Sequence, residues 1–275
     1  LGSNQPNITH TMNKLEDQLH CVLFIRSNRG VTLTPEGENL YARISSAAVQ
    51  IQDAEEELSA SASLSHGAIS ISATETALNI YLSEQLRGFH AQYPGIRLRI
   101  TNHSTLQAVQ AVKNGEVDFA VVTTPAETGS DLKRVALMPF NEILVGGPSF
   151  AELAGRTLAL QELIAYPLIM LENGSMSRIF YRQFFLDHNA ELKPDIEAGT
   201  TDQMLTLVRS DLGLAFVPEP MARGNLHRKR ILQMNLQEAI PSRSVCLVYD
   251  PRRPLNTAAR EFRHQLLESA KNKQK

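Results

Sequence analysis

The sequence has little that would tie the chain to an oxidising compartment, a membrane or a polyanion. Its 275 residues include two cysteines and no tryptophan. Cys21 and Cys246 lie far apart and match no metal-ligand spacing, which favours reduced thiols in a cytoplasmic protein. No apolar run approaches the roughly 20 residues that a membrane-spanning helix needs, and the first residues do not resemble a secretion signal. Since 27 basic and 29 acidic residues nearly cancel, nucleic-acid binding must be argued from local pattern.

The sequence also lacks the short motifs that usually accompany catalysis. It contains no Gly-x-Ser-x-Gly elbow, no His-Glu-x-x-His pair and no phosphate-binding loop. His188, His227 and His264 have no spacing that suggests a shared metal ion. The basic runs at residues 228–230 and 252–253 are most simply solvated surface. We therefore expect a protein that is not an enzyme and that needs no metal and no cofactor.

A helix and a β-hairpin are indicated in residues 1–33. Apolar residues at positions 8, 12, 15 and 19 form one helical stripe opposite a polar face, although such a face is usually just solvated. Two short apolar runs around the basic turn 27–30 predict a β-hairpin, here called the wing. The helix and the wing together suit a partial winged helix-turn-helix domain that binds DNA. The residues expected to contact bases or phosphates are Asn4, Gln5, Pro6, Thr9, His10, Asn13, Lys14, Arg26 and Arg29.

A linker helix is indicated in residues 34–66. Thr34 can cap it, Pro35 suits its first position, and apolar residues then recur at alternating spacings of four and three. This seam predicts a dimerising helix pair, while a single helix lying on its own domain is the alternative. The predicted dimerisation residues are Leu40, Ile44, Ala47, Ile51, Ala54 and Leu58.

Residues 67–275 alternate between strand and helix patterns, which predicts an α/β domain with parallel strands. We expect two lobes joined by crossing strands near 139–147 and 243–250. The first lobe would comprise about 67–140 and 250–275, and the second about 141–249.

The residues of the first segment are similar, position by position, to the LysR-type transcriptional regulators from the recognition helix to the linker. The matching positions are Gln5, Pro6, Thr9, Leu15, Glu16, Leu19, Leu23, Phe24, Arg26, Arg29, Gly30, Leu33, Thr34, Pro35 and Gly37. Asn4 and His20 depart from the pattern, which commonly has Ser and Gly there. Residues 89–94, 115–121 and 213–218 resemble the family's effector domain, which has a two-lobed periplasmic-binding-protein-like fold.

The resemblance implies double-stranded promoter DNA and a small-molecule effector as partners, and a homodimer or a tetramer built as a dimer of dimers. It also implies that roughly 30 residues of the DNA-binding domain precede position 1 in the family. A solute-binding sensor module that has lost DNA binding is the alternative, and upstream coding sequence would distinguish the two.

Hydroxyl-bearing residues follow several predicted strands, at the edge where α/β sheets bind ligands. Each of them could simply cap a helix, but the resemblance implies that these positions contact the effector. Helix N-termini favour an anionic effector, whereas the Glu75 carboxylate would repel an anion if its side chain faced the cleft. The predicted effector-binding residues are Thr74, Glu75, Thr76, His103, Ser104, Thr105, Thr123, Thr124, Asn173, Gly174, Ser175, Thr200, Thr201 and Pro218.

Overall fold

The computed structural model describes residues 5–27, 30–59, 64 and 67–273, and it divides the chain into two compact units. The first unit is Leu1–Glu55 and the second is Glu56–Lys275. Among the residues described, no helix is both long and apolar enough to cross a membrane.

The first unit follows the order helix, hairpin, helix that the sequence predicts. Its elements are α1 (Gln5–Leu19), β1 (Phe24–Ser27), β2 (Gly30–Leu33) and α2 (Pro35–Ser59). Helix α2 continues past Glu55, the last residue of the first unit. The two strands are antiparallel, with Phe24 opposite Leu33.

Short polar contacts hold α1, the hairpin and α2 together. The Glu16 carboxylate accepts the N–H groups of Leu23 and Phe24 at 2.6 and 3.0 Å. His20 completes the turn after α1 in a left-handed conformation, with φ of 53°, so histidine stands here in a backbone geometry that glycine adopts more easily. At the start of α2, the Thr34 hydroxyl accepts the Gly37 N–H at 3.0 Å, as the cap prediction requires.

The second unit contains eleven strands and eight α-helices among the described residues. The strands are β3 (Gly67–Ala73), β4 (Ile96–Asn102), β5 (Phe119–Thr123), β6 (Lys133–Phe140), β7 (Glu142–Gly146), β8 (Thr157–Leu158), β9 (Leu168–Leu171), β10 (Ile196–Ala198), β11 (Leu214–Pro218), β12 (Leu232–Leu236) and β13 (Arg243–Tyr249). The helices are α3 (Glu75–Ala77), α4 (Ser83–Gln92), α5 (Thr105–Asn114), α6 (Ala151–Ala154), α7 (Met176–Asp187), α8 (Thr201–Arg209), α9 (Glu219–His227) and α10 (Thr257–Lys273). A π-helical turn, Leu78–Leu82, joins α3 to α4.

The first lobe is built on a sheet with the order β4-β3-β5-β13-β6. β3 runs parallel to β4 and β5, whereas β13 runs antiparallel to β5 and β6. The C-terminal α10 packs on this sheet, with the Phe262 ring 4.8 Å from that of Phe89 and 6.1 Å from that of Phe119. As the sequence predicts, the last helix returns to the first lobe.

The boundary of the second lobe needs one correction. The sequence predicts a second lobe that extends to about residue 249, but β13 lies in the first sheet over its whole length, with Arg243 opposite Phe140 and Tyr249 opposite Lys133. The reason is its apolar content, since Val245, Cys246 and Leu247 are buried between two neighbouring strands.

The second lobe has a six-stranded sheet with the order β10-β9-β11-β7-β12-β8. Its three parallel neighbours, β10, β9 and β11, carry their C-terminal ends to the same edge as one another. Each lobe has its own apolar core, with Phe89 and Ile71 in the first and Phe185 and Leu144 in the second. β8, β12, α9 and most of β6 have no counterpart among the elements predicted from the sequence.

Candidate effector site between the two lobes

A polar cleft of about 240 Å³ lies between the lobes. It is formed where β3, β4 and β5 of the first sheet and β9 and β10 of the second end, which is where ligands bind in open α/β sheets. Its lining residues are Thr74, Glu75, Thr76, Asn102, His103, Ser104, Thr105, Gln107, Thr123, Leu171, Glu172, Ser175, Met176, Ser177, Gly199, Thr200 and Thr201.

The structure brings most of the predicted effector-binding residues together in this cleft. Those that line it are Thr74, Glu75, Thr76, His103, Ser104, Thr105, Thr123, Ser175, Thr200 and Thr201. Pro218 lines a smaller adjoining pocket together with Thr76 and Tyr181.

Three further predicted residues line neither the cleft nor the adjoining pocket, and each has a local role. The Thr124 hydroxyl accepts the Ser244 N–H at 2.9 Å, and its carbonyl accepts from the Arg243 side chain at 2.6 Å. Asn173 accepts the N–H of Gly174 at 3.1 Å within an exposed turn, and Gly174 has φ of 91°, which suits glycine. These residues shape the backbone beside the cleft.

Four hydroxyl-capped helix starts converge on the cleft. Thr74, Ser104, Ser175 and Thr200 each accept the N–H three residues ahead, at 3.2 to 3.4 Å. The cap interpretation is therefore correct for all four residues, and they line the cleft as well. A hydroxyl that accepts a helix N–H still carries its own proton, so each cap can also donate to a ligand.

Several lining residues were missed by the sequence analysis: Asn102, Gln107, Leu171, Glu172, Met176, Ser177 and Gly199. Ser177 offered a usable signal, because it stands in the first turn of a helix that starts at the cleft. Asn102 ends β4 beside the predicted His103. Leu171 and Met176 are apolar and carried no signal for a polar cleft.

The ionisable side chains that line the cleft are acidic, apart from His103. They are Glu75 and Glu172, and neither lysine nor arginine is among the described lining residues. His103 is held by a 2.9 Å hydrogen bond between its Nδ1 and the Ser72 hydroxyl. Helix N-termini, which carry positive dipole ends, also face the cleft.

Glu75 belongs to the first lobe but binds the start of a helix in the second. Its Oε2 accepts the Thr201 N–H at 2.7 Å, and its Oε1 accepts the Asp202 N–H at 3.2 Å. Burial raises the pKa of the Glu75 carboxyl above its usual 4.5; the two backbone hydrogen bonds oppose that rise and the Asp202 charge adds to it. The carboxyl that could have repelled an anion thus already has its own donors.

A buried cluster of four side chains, here called the hinge cluster, lies beneath the cleft where the two crossing segments meet. It is built around an ion pair between Arg243 and Glu142. Its members are Arg243, Glu142, Thr123 and Ser177. Arg243 donates to the Glu142 carboxylate at 2.5 Å and to the Thr123 and Ser177 hydroxyls at 3.2 and 3.0 Å. The side chains of Arg243 and Glu142 are 4% and 1% exposed. Because Thr123 is in the first lobe and Ser177 in the second, the guanidinium holds both.

In the first unit, those predicted DNA-contacting residues that the structure describes stand on α1 and on the β1–β2 hairpin. The Arg26 guanidinium donates to the Asn13 side chain at 2.6 Å, which joins wing and helix. His10 and Lys14 are exposed, and Thr9 is half-buried. Asn4 and Arg29, and the side chains of Gln5 and Pro6, lie outside the described residues.

The predicted dimerisation seam of α2 is largely open to solvent within the chain. Ile44 and Ile51 are 50% and 62% exposed, although they are large apolar residues. Ala47 is exposed and Leu40 is half-buried. The side chains of Ala54 and Leu58 lie outside the described residues.

Comparisons with known proteins agree with this architecture. Residues 1–38 match the bacterial regulatory helix-turn-helix of the lysR family, and residues 62–271 match the LysR substrate binding domain. The HTH-type transcriptional regulator YofA of Bacillus velezensis is 27% identical over 94% of this chain and 86% of its own. BbuR of Bordetella bronchiseptica, another HTH-type transcriptional regulator, is 30% identical over 82% of this chain and 71% of its own.

Solved structures share the fold. CbnR, a LysR family transcriptional regulator, superposes with a TM-score of 0.74 at 18% identity, covering 97% of this chain and 90% of its own. The effector binding domain of QuiR, solved with shikimate, gives a TM-score of 0.67 at 20% identity, covering 76% of this chain and 99% of its own.

A DNA-binding head joined to a two-lobed domain with a ligand cleft defines a class of protein: ligand-responsive regulators of transcription. The family is shown by the two matched domains, which together span most of the chain. The chain belongs to the LysR family of transcriptional regulators. It is a DNA-binding regulator whose activity a small-molecule effector modulates, and the matched helix-turn-helix favours this over the sensor-only alternative.

Proposed function

We propose that the effector is a small molecule with a carboxylate, bound in the cleft between the lobes. The observation that supports this most strongly is the convergence of hydroxyl-capped starts of α5, α7 and α8 on one cleft. Such starts offer N–H donors and positive dipole ends to an anion. The hydroxyls would hold further acceptor groups. Shikimate, which one similar structure holds, is a hydroxylated carboxylic acid of this kind.

A thermal-shift screen of the full chain tests the effector's charge. The probes are lactate, succinate, benzoate and shikimate, each compared with its primary amide. We expect at least one acid to raise the melting temperature where its amide does not. Ser175→Ala should weaken that shift because it removes one donor at α7, whereas Ser149→Ala, whose hydroxyl bonds Asp211 away from the cleft, should leave it unchanged. Equal shifts by acids and amides, or none by any acid, would contradict a carboxylate effector.

For DNA recognition, we infer that the polar face of α1 enters the major groove and that Arg26 holds a phosphate. The 2.6 Å bond from Arg26 to Asn13 supports this, because it orients the guanidinium beside the helix face. Asn4, Gln5, Pro6, Thr9, His10, Lys14 and Arg29 complete the proposed contact set.

Fluorescence anisotropy against the gene's own upstream DNA, across a salt series, tests this role. Arg26→Ala should lower affinity and reduce the salt slope by about one. Arg87→Ala removes an 81% exposed charge from the second unit and should change neither quantity. An unchanged slope in Arg26→Ala would exclude the phosphate contact.

For assembly, we infer that α2 pairs with α2 of a second copy along Leu40, Ile44, Ala47, Ile51, Ala54 and Leu58. Exposed isoleucines at Ile44 and Ile51 support this, because large apolar side chains in a seam are stabilised by a partner. The DNA site should then contain an inverted repeat. Ile51→Lys should shift sedimentation toward the monomer, while Gln50→Lys, the same charge one residue outside the seam, should not.

A further inference from the structure

The two lobes are joined across the cleft by a side chain that starts one helix and binds the start of another. Glu75 is the first residue of α3 in the first lobe, and its two carboxyl oxygens accept the N–H groups of Thr201 and Asp202, the first two residues of α8. Beside this contact, the Thr76 and Thr201 hydroxyls lie 3.4 Å apart. The start of α8 is therefore bound by the opposite lobe.

This contact completes the hydrogen bonding of the α8 start. The first N–H groups of a helix have no acceptors within the helix and need outside partners. Thr200 accepts the Gln203 N–H at 3.2 Å, and Glu75 accepts the two before it. A carboxyl in this position has the partners that the carboxylate of a bound ligand would have at the same helix start.

The charge on Glu75 is subject to opposing influences at this contact. Glu75 is half-buried, and the Asp202 carboxyl stands close enough to raise its pKa. Burial and the neighbouring charge both work against the carboxylate, while the two N–H donors work for it. Because these contributions oppose one another, the Glu75 carboxylate gains less from this position than its two hydrogen bonds alone would give, so a second carboxylate can compete for the same N–H groups.

We propose that Glu75 is an interlobe latch that competes with an acidic effector for the N–H groups of Thr201 and Asp202. Glu75 holds the lobes together at α8, and an effector carboxylate takes its place and frees the first lobe to move. The regulatory part rests on the proposed carboxylate effector, whereas the contact between Glu75 and α8 is measurable without any effector.

Hydrogen exchange of the full chain, resolved by mass spectrometry to single residues over 199–204, tests the latch. In Glu75→Ala, the Thr201 and Asp202 amides should exchange roughly tenfold faster, as expected for the loss of charge-assisted hydrogen bonds. Acetate at millimolar concentration should restore part of the protection by filling the emptied position, while acetamide should not. Glu84→Ala, which removes a 71% exposed glutamate of α4, is the matched control and should exchange like the wild type.

Each outcome decides one part of the proposal. Unchanged exchange in Glu75→Ala overturns the latch, and faster exchange without rescue by acetate overturns the competition for α8. Glu75→Gln guards against a folding defect, because its single carbonyl oxygen should protect one amide and give intermediate exchange. A negative thermal-shift screen together with acetate rescue would remove the carboxylate effector and leave the latch standing.

Discussion

Two of the contacts that join the lobes, the hinge cluster and the Glu75 contact with α8, differ in depth and in the number of partners. The hinge cluster is almost fully buried: Arg243 donates to two hydroxyls, one carboxylate and the Thr124 carbonyl, and it lies 5.1 Å from the Phe180 ring centre. Glu75, by contrast, is half-buried and accepts two backbone N–H groups near a like charge.

The difference separates a fixed pivot from a releasable contact. Breaking a buried ion pair strands a charge in a place that water cannot reach, so the arrangement that satisfies it is strongly preferred. Breaking a half-buried contact returns its groups to water at modest cost. We infer that lobe movement pivots at Arg243 and opens at Glu75.

The largest expected effect comes from breaking the pivot. Glu142→Ala should lower the free energy of unfolding by about 3–5 kcal/mol, because Arg243 would keep its charge without its carboxylate. Urea unfolding followed by circular dichroism measures this. The double variant Glu142→Leu with Arg243→Met removes both charges and should lose less than the single variant.

An exposed pair on α9 provides the matched control for this experiment. Arg223 and Glu219 lie 3.2 Å apart with side chains 68% and 35% exposed. Glu219→Ala should change stability by less than about 1 kcal/mol, as is usual for surface ion pairs. If Glu142→Ala costs no more than Glu219→Ala, the pivot interpretation fails.

A smaller effect is expected at the α8 cap, and it sharpens the description of the latch. Thr200→Ala should cost about 1 kcal/mol, since it removes the acceptor of the Gln203 N–H. Exchange at Gln203 should rise more than at Thr201 and Asp202, whose acceptor is Glu75. Thr206→Ala on the exposed face of α8 should be nearly neutral. Equal acceleration at all three amides would mean that Thr200, and not Glu75, governs the helix start.

The comparison also shows which features a sequence can reveal. The four caps were predictable because a cap depends on residues within one turn, as in the capping box of Ser104 and Gln107. The partners of the hinge cluster and the latch are separated by 101 and 126 residues. No local pattern pairs Glu142 with Arg243 or directs Glu75 toward Thr201, so the direction of the Glu75 side chain could not be predicted from the sequence.

The strand assigned to the wrong lobe and the elements that were missed have a similar explanation. β13 is apolar over most of its length. A strand that crosses between the lobes and a central strand of one sheet would both be apolar, so composition alone could not assign β13 to a sheet. Helix α9 contains a proline and a glycine, which obscure its pattern. Strand β12 does alternate Leu232, Met234 and Leu236, and that signal could have been used.

The smallest expected effect is a change of stability with pH that separates Glu75 from an ordinary surface carboxylate. Because the folded pKa of Glu75 is raised above 4.5, the folded state holds its proton more tightly than the unfolded chain does. Its stabilising contribution is complete below pH 4.5 and is lost as the pH rises through the folded pKa. The stability of the wild type relative to Glu75→Gln should therefore fall with rising pH, as measured by urea unfolding at a series of pH values.

Glu162 should show the opposite sign. The Ala159 N–H, which donates to it at 2.9 Å, lowers the pKa of Glu162, so its contribution is present above pH 4.5 and is lost as the pH falls through the folded pKa. The wild type relative to Glu162→Gln should gain stability with rising pH. If Glu75 and Glu162 gave slopes of the same sign, burial would not dominate at Glu75. Opposite slopes would mean that the burial of Glu75 and its repulsion by Asp202 together outweigh the two backbone hydrogen bonds in setting the pKa of Glu75.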